Sequence, residues 1–212
     1  MTEEWIVTLE KCIEKLTKVD SLEIATVDEN ACPHLRVVSA RYFDGTTMYF
    51  LTARGKAFAR QMERNPQIAV IGFDEQANDM VRLSGKACRV PEQEQRAARE
   101  RMYAVYPYLE NVYPGETKEI DVIYCLTSYS VEYFTLRTHP ITREYFEVGN
   151  AQRERKGYRI TDRCTGCGTC QSVCPQKVIA EGKPYRIDEA HCLHCGGCFE
   201  ICPAEAIQWL GE

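Results

Sequence analysis

Eight of the twelve cysteines in this chain fall into two runs that share one spacing. The first run is Cys164, Cys167, Cys170 and Cys174, the second is Cys192, Cys195, Cys198 and Cys202, and a proline follows each fourth cysteine. Thiolates at the spacing C-x2-C-x2-C-x3-C-P are ligands of [4Fe–4S] clusters. The sequence therefore predicts two iron–sulfur clusters and an electron-transfer role.

The residues around each run also suit a cluster. Three cysteines on a short loop can surround one side of a cubane, and the fourth thiolate must come from elsewhere. Backbone N–H groups can approach the inorganic sulfurs at Gly166, Gly168, Gly196 and Gly197, and such hydrogen bonds help to set the potential. Residues 174–179 repeat as 202–207, so we expect each half to add a short helix and an apolar side chain over a cluster.

Residues 157–212 resemble the two-cluster bacterial ferredoxins along their whole length. In that family the fourth cysteine of each run ligates the other cluster. The resemblance implies one ligand set of Cys164, Cys167, Cys170 and Cys202, and a second of Cys192, Cys195, Cys198 and Cys174. His194 lies inside the second loop, where we expect a hydrogen bond to a sulfur and not a ligand.

Two alternatives for the cysteines stay open. Paired C-x2-C also binds zinc, but zinc sites rarely use a fourth cysteine at x3 followed by proline. A disulfide framework is the weaker alternative, because no secretory segment is recognisable.

Composition limits the partners and the compartment. The chain has 212 residues, and 31 acidic against 26 basic residues give a net charge of −5, which disfavours nucleic acid and anionic membranes as partners. The longest apolar run, 68–73, is far too short to span a bilayer. We expect a cytoplasmic protein of a cell with little oxygen, since exposed clusters are usually damaged by oxygen.

Residues 1–137 predict a mainly β domain with flanking helices. Helices are expected at 2–18, 55–64 and 92–106; strands are expected at 22–27, 35–43, 46–52, 68–73, 81–90, 120–125 and 131–136. In the first helix Trp5, Leu9, Cys12, Ile13 and Leu16 form one apolar stripe, with Thr2 as the cap. Asp44-Gly45 predicts a hairpin turn. About six antiparallel strands indicate a small barrel, and the charged residues 138–156 suggest a linker.

The segments 33–41, 48–56 and 65–66 resemble the pyridoxamine 5′-phosphate oxidase-like family, best over residues 20–90 and more weakly to about 136. The resemblance implies a six-stranded split β-barrel that binds FMN at a homodimer interface. It implies that Arg36, Thr52 and Lys56 hold the phosphate and ribityl chain, and that the backbone at Val38 and Ser39 contacts the isoalloxazine, with Arg41 and Arg54 as helpers.

The residues support this assignment in part. Lys56 follows Gly55 at the start of a predicted helix, where the helix dipole favours an anion. Arg36 alternates with Leu35 and Val37, so it lies on the opposite face of its strand. The alternative for Arg36, Arg41 and Lys56 is solvated surface charge.

The chain also departs from the family. Phe58 stands where the oxidase has another basic residue, and the ferredoxin module replaces the C-terminal segment that holds pyridoxamine phosphate. We therefore do not expect a true pyridoxamine-phosphate oxidase. The remaining cysteines, Cys12, Cys32, Cys88 and Cys125, are expected to pack as small hydrophobes.

These observations favour a flavo-iron–sulfur oxidoreductase that passes electrons between two [4Fe–4S] clusters and FMN, with no catalytic residue assigned. The expected domains are 1–137 (FMN-binding split barrel), 138–156 (linker) and 157–212 (small α+β ferredoxin-type domain). A homodimer is expected, with a redox protein or a small molecule as the acceptor. The alternatives are a dedicated electron carrier and a flavin-free, partner-binding barrel with a ferredoxin tail.

Overall fold

A computed structural model of the chain describes residues 6–74, 78–153 and 155–211. The chain folds into two compact units. The first comprises Met1–Asp74, Met80–Glu132 and Phe146–Gln152, and the second comprises Glu75–Asp79, Tyr133–Tyr145 and Arg153–Glu212. Within the described residues, no helix is both long and apolar enough to cross a bilayer.

In the described part of the chain, ten strands form two mostly antiparallel sheets. They are β1 (Leu22–Val27), β2 (Pro33–Val38), β3 (Arg41–Asp44), β4 (Thr47–Ala53), β5 (Gln67–Asp74), β6 (Asp79–Lys86), β7 (Cys88–Arg89), β8 (Asp121–Leu126), β9 (Tyr129–Thr135) and β10 (Thr142–Val148). The strand order is β10-β9-β6-β5-β1-β2 in the larger sheet and β3-β4-β8-β7 in the smaller. Unit boundaries fall inside β6, β9 and β10.

Helices flank these sheets: α1 (Leu9–Lys18), α2 (Ala57–Arg64), α3 (Glu92–Val105), α4 (Leu109–Val112) and a 3-10 helix (Gly115–Ile120). Thr8 caps α1 by accepting a hydrogen bond from the Lys11 N–H at 3.3 Å. Cys12 and Leu16 are buried, as the apolar stripe predicts. Thr2 and Trp5, the predicted start of this helix, lie outside the described residues.

Two predicted strands are each divided between the two sheets. The strand expected at 35–43 is β2 in the larger sheet and β3 in the smaller, with a bend at Ser39 where the Arg41 N–H donates to the Ser39 carbonyl at 3.0 Å. The strand expected at 81–90 is β6 and β7, and between them the Ala87 N–H donates to the Pro66 carbonyl at 2.8 Å. These corners connect the two sheets.

Two further expectations need correction. β10 lies in the segment expected to be a linker, because charged residues such as Arg143, which is buried, hide its strand pattern. Cys32 and Cys88 are exposed and so do not pack as small hydrophobes. Cys88 lies on a two-residue strand directly opposite the half-buried Cys125.

The second unit contains two similar halves. β11 (Tyr158–Ile160) pairs with β14 (Ile207–Trp209), and β12 (Ile179–Ala180) pairs with β13 (Arg186–Ile187). Two one-turn helices, α5 (Thr169–Ser172) and α6 (Gly197–Glu200), lie inside the cysteine runs, and a 3-10 helix spans Glu189–His191. One buried apolar cluster of this unit comprises Ile160, Cys170, Ile179, Tyr185, Cys198 and Ile207. Each half therefore supplies one short helix and apolar cover, as predicted.

Candidate iron–sulfur and flavin sites

The motif cysteines line two cavities of the second unit. One is lined by Cys164, Cys167, Cys170 and Cys202. The other is lined by Cys174, Cys192, Cys195 and Cys198. Each cavity thus combines three cysteines of one run with the fourth cysteine of the other. Among the described residues, no three Cys, His, Asp or Glu side chains are close enough to hold a single metal ion.

The cysteine loops turn on residues with positive φ. Gly168 (φ +78°) and Gly196 (φ +83°) precede α5 and α6, and glycine accommodates this conformation without strain. Backbone N–H groups point at ligand sulfurs: the His194 N–H lies 3.4 Å from Cys192 Sγ, and the Ala206 N–H lies 3.3 Å from Cys202 Sγ. These contacts are to cysteine sulfurs, so the expected approach of the N–H groups at Gly166, Gly168, Gly196 and Gly197 to inorganic sulfurs stays a prediction.

One tyrosine and two isoleucines line each cavity. Tyr185, Ile160 and Ile207 line the first, and Tyr158, Ile179 and Ile187 line the second. The sequence predicts Ile179 and Ile207, but the tyrosines come from a repeat outside the cysteine runs. The signal for them is the tripeptide Tyr-Arg-Ile, which occurs at 158–160 and again at 185–187.

The thiols in these cavities favour a cationic group. Burial raises the pKa of Cys198 to about 11, and neighbouring thiols add to the effect. Burial also raises the pKa of Cys170 and of Cys192, whereas hydrogen bonds to Thr169 lower the pKa of exposed Cys167. The buried thiolates are therefore unfavourable by themselves, and positively charged iron would offset both the burial and the mutual repulsion. The donor set and the cavities fit an iron–sulfur cluster.

Arg36 lies between β1, β2 and α2 on the first unit. Its Nη1 donates to Thr26 Oγ1 at 2.7 Å and its Nη2 to Gln61 Oε1 at 2.6 Å. Its guanidinium carbon lies 4.8 Å from the centroid of the Phe58 ring. Burial lowers the pKa of Arg36. The prediction that Arg36 lies on the opposite face of β2 from Leu35 and Val37 is confirmed, since Leu35 and Val37 are each 67% exposed while Arg36 is half-buried.

Phe58 has a packing role where the oxidase has a basic residue. It is buried, supports the Arg36 guanidinium, and stacks on Phe50 of β4 with ring centroids 5.9 Å apart. Thr52, also buried, lies two residues after Phe50 and therefore on the same face of β4. Exposed Lys56 is the residue that precedes α2. The structure thus places Arg36 against α2 and Lys56 directly before that helix, and Thr52 shares a strand face with Phe50, which stacks on Phe58 of α2.

The start of α2 suits an anion. The Lys56 side chain does not cap the helix, and the first turn contains no acidic residue. The N–H groups of the first turn and the helix dipole therefore favour a negative group, such as a phosphate, at the start of α2. A side chain at Gly55 would meet no atom within 4 Å among the described residues, so the approach is open.

Arg41 is not part of this group. It is buried, and its guanidinium donates to the carbonyl oxygens of Leu16 (3.2 Å), Asp20 (3.1 Å) and Ser39 (2.9 Å), and to that of Val19. It therefore ties the end of α1 to the corner between β2 and β3. Val38 is buried and Ser39 is exposed at that corner, and Arg54 donates to the Glu119 carbonyl at 2.9 Å.

Asp121 is a residue near the flavin candidates that the sequence does not reveal. It is buried opposite Ala53 of β4, and its Oδ2 accepts a hydrogen bond from the Tyr103 hydroxyl at 2.6 Å. Burial raises its pKa, against the lowering influence of the Tyr103 hydrogen bond and of the Arg99 and Lys56 charges. No local motif marks it, because its burial depends on α3 packing over β8.

Comparison with protein families decides what the barrel is. The family model described as pyridoxamine 5′-phosphate oxidase matches residues 9–122, more than half of the chain. The chain belongs to the pyridoxamine 5′-phosphate oxidase family. A model described as a 4Fe-4S dicluster domain matches residues 156–204, which include all eight motif cysteines.

The oxidases themselves are distant relatives. The pyridoxine/pyridoxamine 5′-phosphate oxidases of Escherichia fergusonii and Cronobacter sakazakii are each 33% identical to this chain over 88 residues. The match covers 42% of this chain and only 39% of theirs.

Solved structures confirm the predicted split-barrel fold. A NimC/NimA family protein of Clostridium acetobutylicum aligns with a TM-score of 0.56 and 20% identity, covering 66% of this chain and 92% of that chain. A pyridoxamine 5′-phosphate oxidase-related, FMN-binding protein of Nostoc punctiforme aligns with a TM-score of 0.54 and 19% identity, covering 68% and 88%. A barrel of this family followed by a dicluster domain supports a redox or electron-transfer role.

Proposed function

We propose that this protein is a flavo-iron–sulfur oxidoreductase that passes electrons between two [4Fe–4S] clusters and FMN. The observation that supports it most is the pair of cavities, each lined by four cysteines, in a chain whose barrel belongs to the oxidase family. When bound, the clusters supply one-electron transfers and FMN couples them to two-electron chemistry.

The side chains have distinct tasks in this proposal. The eight thiolates hold iron, and the His194 and Ala206 N–H groups donate to ligand sulfurs, which stabilises negative charge there. Tyr158 and Tyr185 limit the access of water to the cavities. Arg36, Thr52 and Lys56, with the N–H groups of α2, hold the FMN phosphate and ribityl chain.

We propose a substrate other than pyridoxamine 5′-phosphate. The match to the curated oxidases covers 39% of their length, and residues 156–204 match the dicluster domain. The electron acceptor is then a redox protein or another small molecule. Steady-state turnover under anaerobic reduction separates an enzyme from a carrier, because a dedicated carrier reduces no acceptor faster than free flavin does.

Anaerobic purification followed by quantitation of iron, sulfide and flavin tests the proposal. Two clusters require about eight iron atoms and about eight sulfides per chain, and the barrel requires FMN. Zinc in place of iron, or no metal at all, in oxygen-protected material would contradict the iron–sulfur part.

Lys56→Ala tests the flavin part. Loss of a charge-assisted hydrogen bond to phosphate costs about 1.5–3 kcal/mol, so we expect FMN to bind at least about ten-fold more weakly. Arg64→Ala is the matched control, because it removes a positive charge from the opposite end of α2 and leaves the phosphate site intact. Equal FMN affinity in both variants would remove Lys56 from the site.

A flavin-free barrel that binds a partner is the second candidate. The observation in its favour is that two N–H groups of Arg36 already bind Thr26 and Gln61, with Phe58 below the guanidinium. Iron-replete protein without a flavin absorption band would support it.

We also propose that the chain forms the homodimer that its family resemblance implies. Leu35 and Val37 support this, because both are two-thirds exposed on β2, which is the terminal strand of its sheet. Analytical ultracentrifugation at micromolar concentration would refute the proposal if only the monomer sediments.

A further inference from the structure

The two cysteine loops differ at one position that strains the backbone. The first loop has Gly166 there, with φ +78°, and the second has His194, with φ +58°. This left-handed conformation suits glycine and is uncommon for other residues. A strained residue of this kind points to a role for its side chain.

The His194 ring contacts a buried cation. Nη1 of Arg143, a residue of β10, lies 2.6 Å from Nδ1 and 2.9 Å from Nε2 of the ring. Arg143 is 8% exposed, and its guanidinium carbon lies 4.9 Å from the centroid of the Phe134 ring. Because one Nη1 atom lies close to both ring nitrogens, the guanidinium lies over the face of the imidazole ring. A guanidinium keeps its positive charge in proteins, so this contact places a fixed positive charge next to the second cysteine loop.

The surrounding structure holds this contact beside the second cavity. A Cβ atom at Gly157 would lie 2.8 Å from His194 Nε2, so the ring occupies space that only glycine leaves. Two residues before Arg143, the Ile141 N–H donates to Gln176 Oε1 at 2.8 Å, and the Ile141 carbonyl accepts from His191 Nδ1 at 2.6 Å. Gln176 and His191 are close in sequence to Cys174 and Cys192, so β10 is tied to the loops of this cavity.

The first cavity has a different electrostatic neighbour. Arg163, next to Cys164, has a side chain 63% exposed and lies 3.7 Å from the Glu205 carboxylate, which is 87% exposed. Water and salt screen such an exposed pair strongly. Gly166 also has no side chain that an arginine could contact.

We propose that Arg143, anchored by His194, raises the reduction potential of the cluster held by Cys174, Cys192, Cys195 and Cys198 above that of the other cluster. Reduction adds one negative charge to a cluster, and a buried positive charge stabilises the reduced form more than a screened one does. The first electron to enter the module therefore resides on the Arg143 side. The inference rests on the proposed function, because it requires both clusters.

Redox titration followed by electron paramagnetic resonance tests this in single-cluster variants. Cys164→Ser/Cys167→Ser leaves only the cluster on the Arg143 side, and Cys192→Ser/Cys195→Ser leaves only the other. Arg143→Met is expected to lower the midpoint potential in the first variant and to leave it unchanged in the second. Arg143→Lys, which keeps the charge, and Arg163→Met, which removes an exposed one, are the controls and should shift the potential less.

The outcomes separate this inference from the proposed function. Absence of iron from the wild-type chain refutes the proposed function. With iron present, equal potentials for the two clusters, or an unchanged potential in Arg143→Met, overturn the role of Arg143. If Arg143→Met loses its iron, His194→Gly is measured in its place, because it relieves the strained backbone and removes the side chain that anchors Arg143. A lower midpoint potential of the cluster on the Arg143 side then supports the inference, and an unchanged potential overturns it.

Discussion

Arg36 and Arg41 have similar sequence surroundings and different tasks. Both lie in the segment that resembles the oxidase family, and either one is a reasonable phosphate ligand from its charge alone. In the structure, the Arg41 guanidinium donates hydrogen bonds to backbone carbonyl oxygens at the end of α1, whereas the Arg36 guanidinium packs on the ring of Phe58 in α2. The task of an arginine therefore depends on the acceptors that the fold brings to it.

The buried carboxyl of Asp121 predicts a pH dependence of stability. Burial raises its pKa above the ordinary value of 3.8, so the folded chain binds this proton more tightly than the unfolded chain does. Its contribution to the free energy of unfolding is therefore largest at acid pH and decreases as the pH rises through the raised pKa.

Asp121→Asn, which cannot titrate, tests this dependence. Urea unfolding of both chains under anaerobic conditions, between about pH 4.5 and 7, should show the wild type losing stability relative to the variant as the pH rises. The difference between the chains is the relevant quantity, because other titrating groups cancel in it. Parallel pH profiles would contradict the prediction.

The short helices and strands depend on single backbone positions. β2 and β3 separate at Ser39, and β6 and β7 separate at Ala87, because the chain changes sheet there. In the second unit, α5 and α6 each begin directly after a glycine with positive φ. Hydrophobic alternation gives no information about such positions, since it continues through a corner.

Gly196 and Gly197 form a matched pair for testing the second cysteine loop. A Cβ atom at Gly196, which has φ +83°, would lie 2.9 Å from the Tyr158 hydroxyl, whereas a Cβ atom at Gly197 would meet no described atom within 4 Å. We expect Gly196→Ala to lower the iron content after anaerobic reconstitution by up to about half, because one cluster of two is affected. Gly197→Ala should retain the wild-type content, and equal iron loss in both variants would refute the argument.

The second unit is organised by an exchange between its halves. Each cavity takes its fourth cysteine from the other run, so neither half can complete a site alone. All six members of its buried apolar cluster, Ile160, Cys170, Ile179, Tyr185, Cys198 and Ile207, line these cavities. The unit therefore depends on metal for stability more than a domain with a large apolar core does.

The exchange predicts which fourth cysteine each cluster requires as a ligand. In the Cys192→Ser/Cys195→Ser chain, the remaining cluster should contribute about four iron atoms. Adding Cys202→Ser should abolish this iron, whereas adding Cys174→Ser should leave it unchanged. Iron analysis with the visible spectrum distinguishes the two, and the reverse result would show that each run holds its own cluster.

Chemistry that depends on short-range spacing was predictable from the residues alone. The cysteine runs, the glycines beside them and the start of α2 are local patterns, because three of the four ligands of each cluster, and the N–H groups at a helix start, lie a few residues apart. The mainly β character of the barrel and the hairpin at Asp44-Gly45 were predictable for the same reason.

Tertiary structure decided the features that join distant segments. Asp121 is buried because α3 packs over β8, and Phe58 supports Arg36 because α2 packs against β2. Arg143 contacts His194 because β10 lies next to a cysteine loop 51 residues away. Charge and hydrophobic pattern along the chain do not record such pairings, since each depends on which surfaces meet when the chain folds.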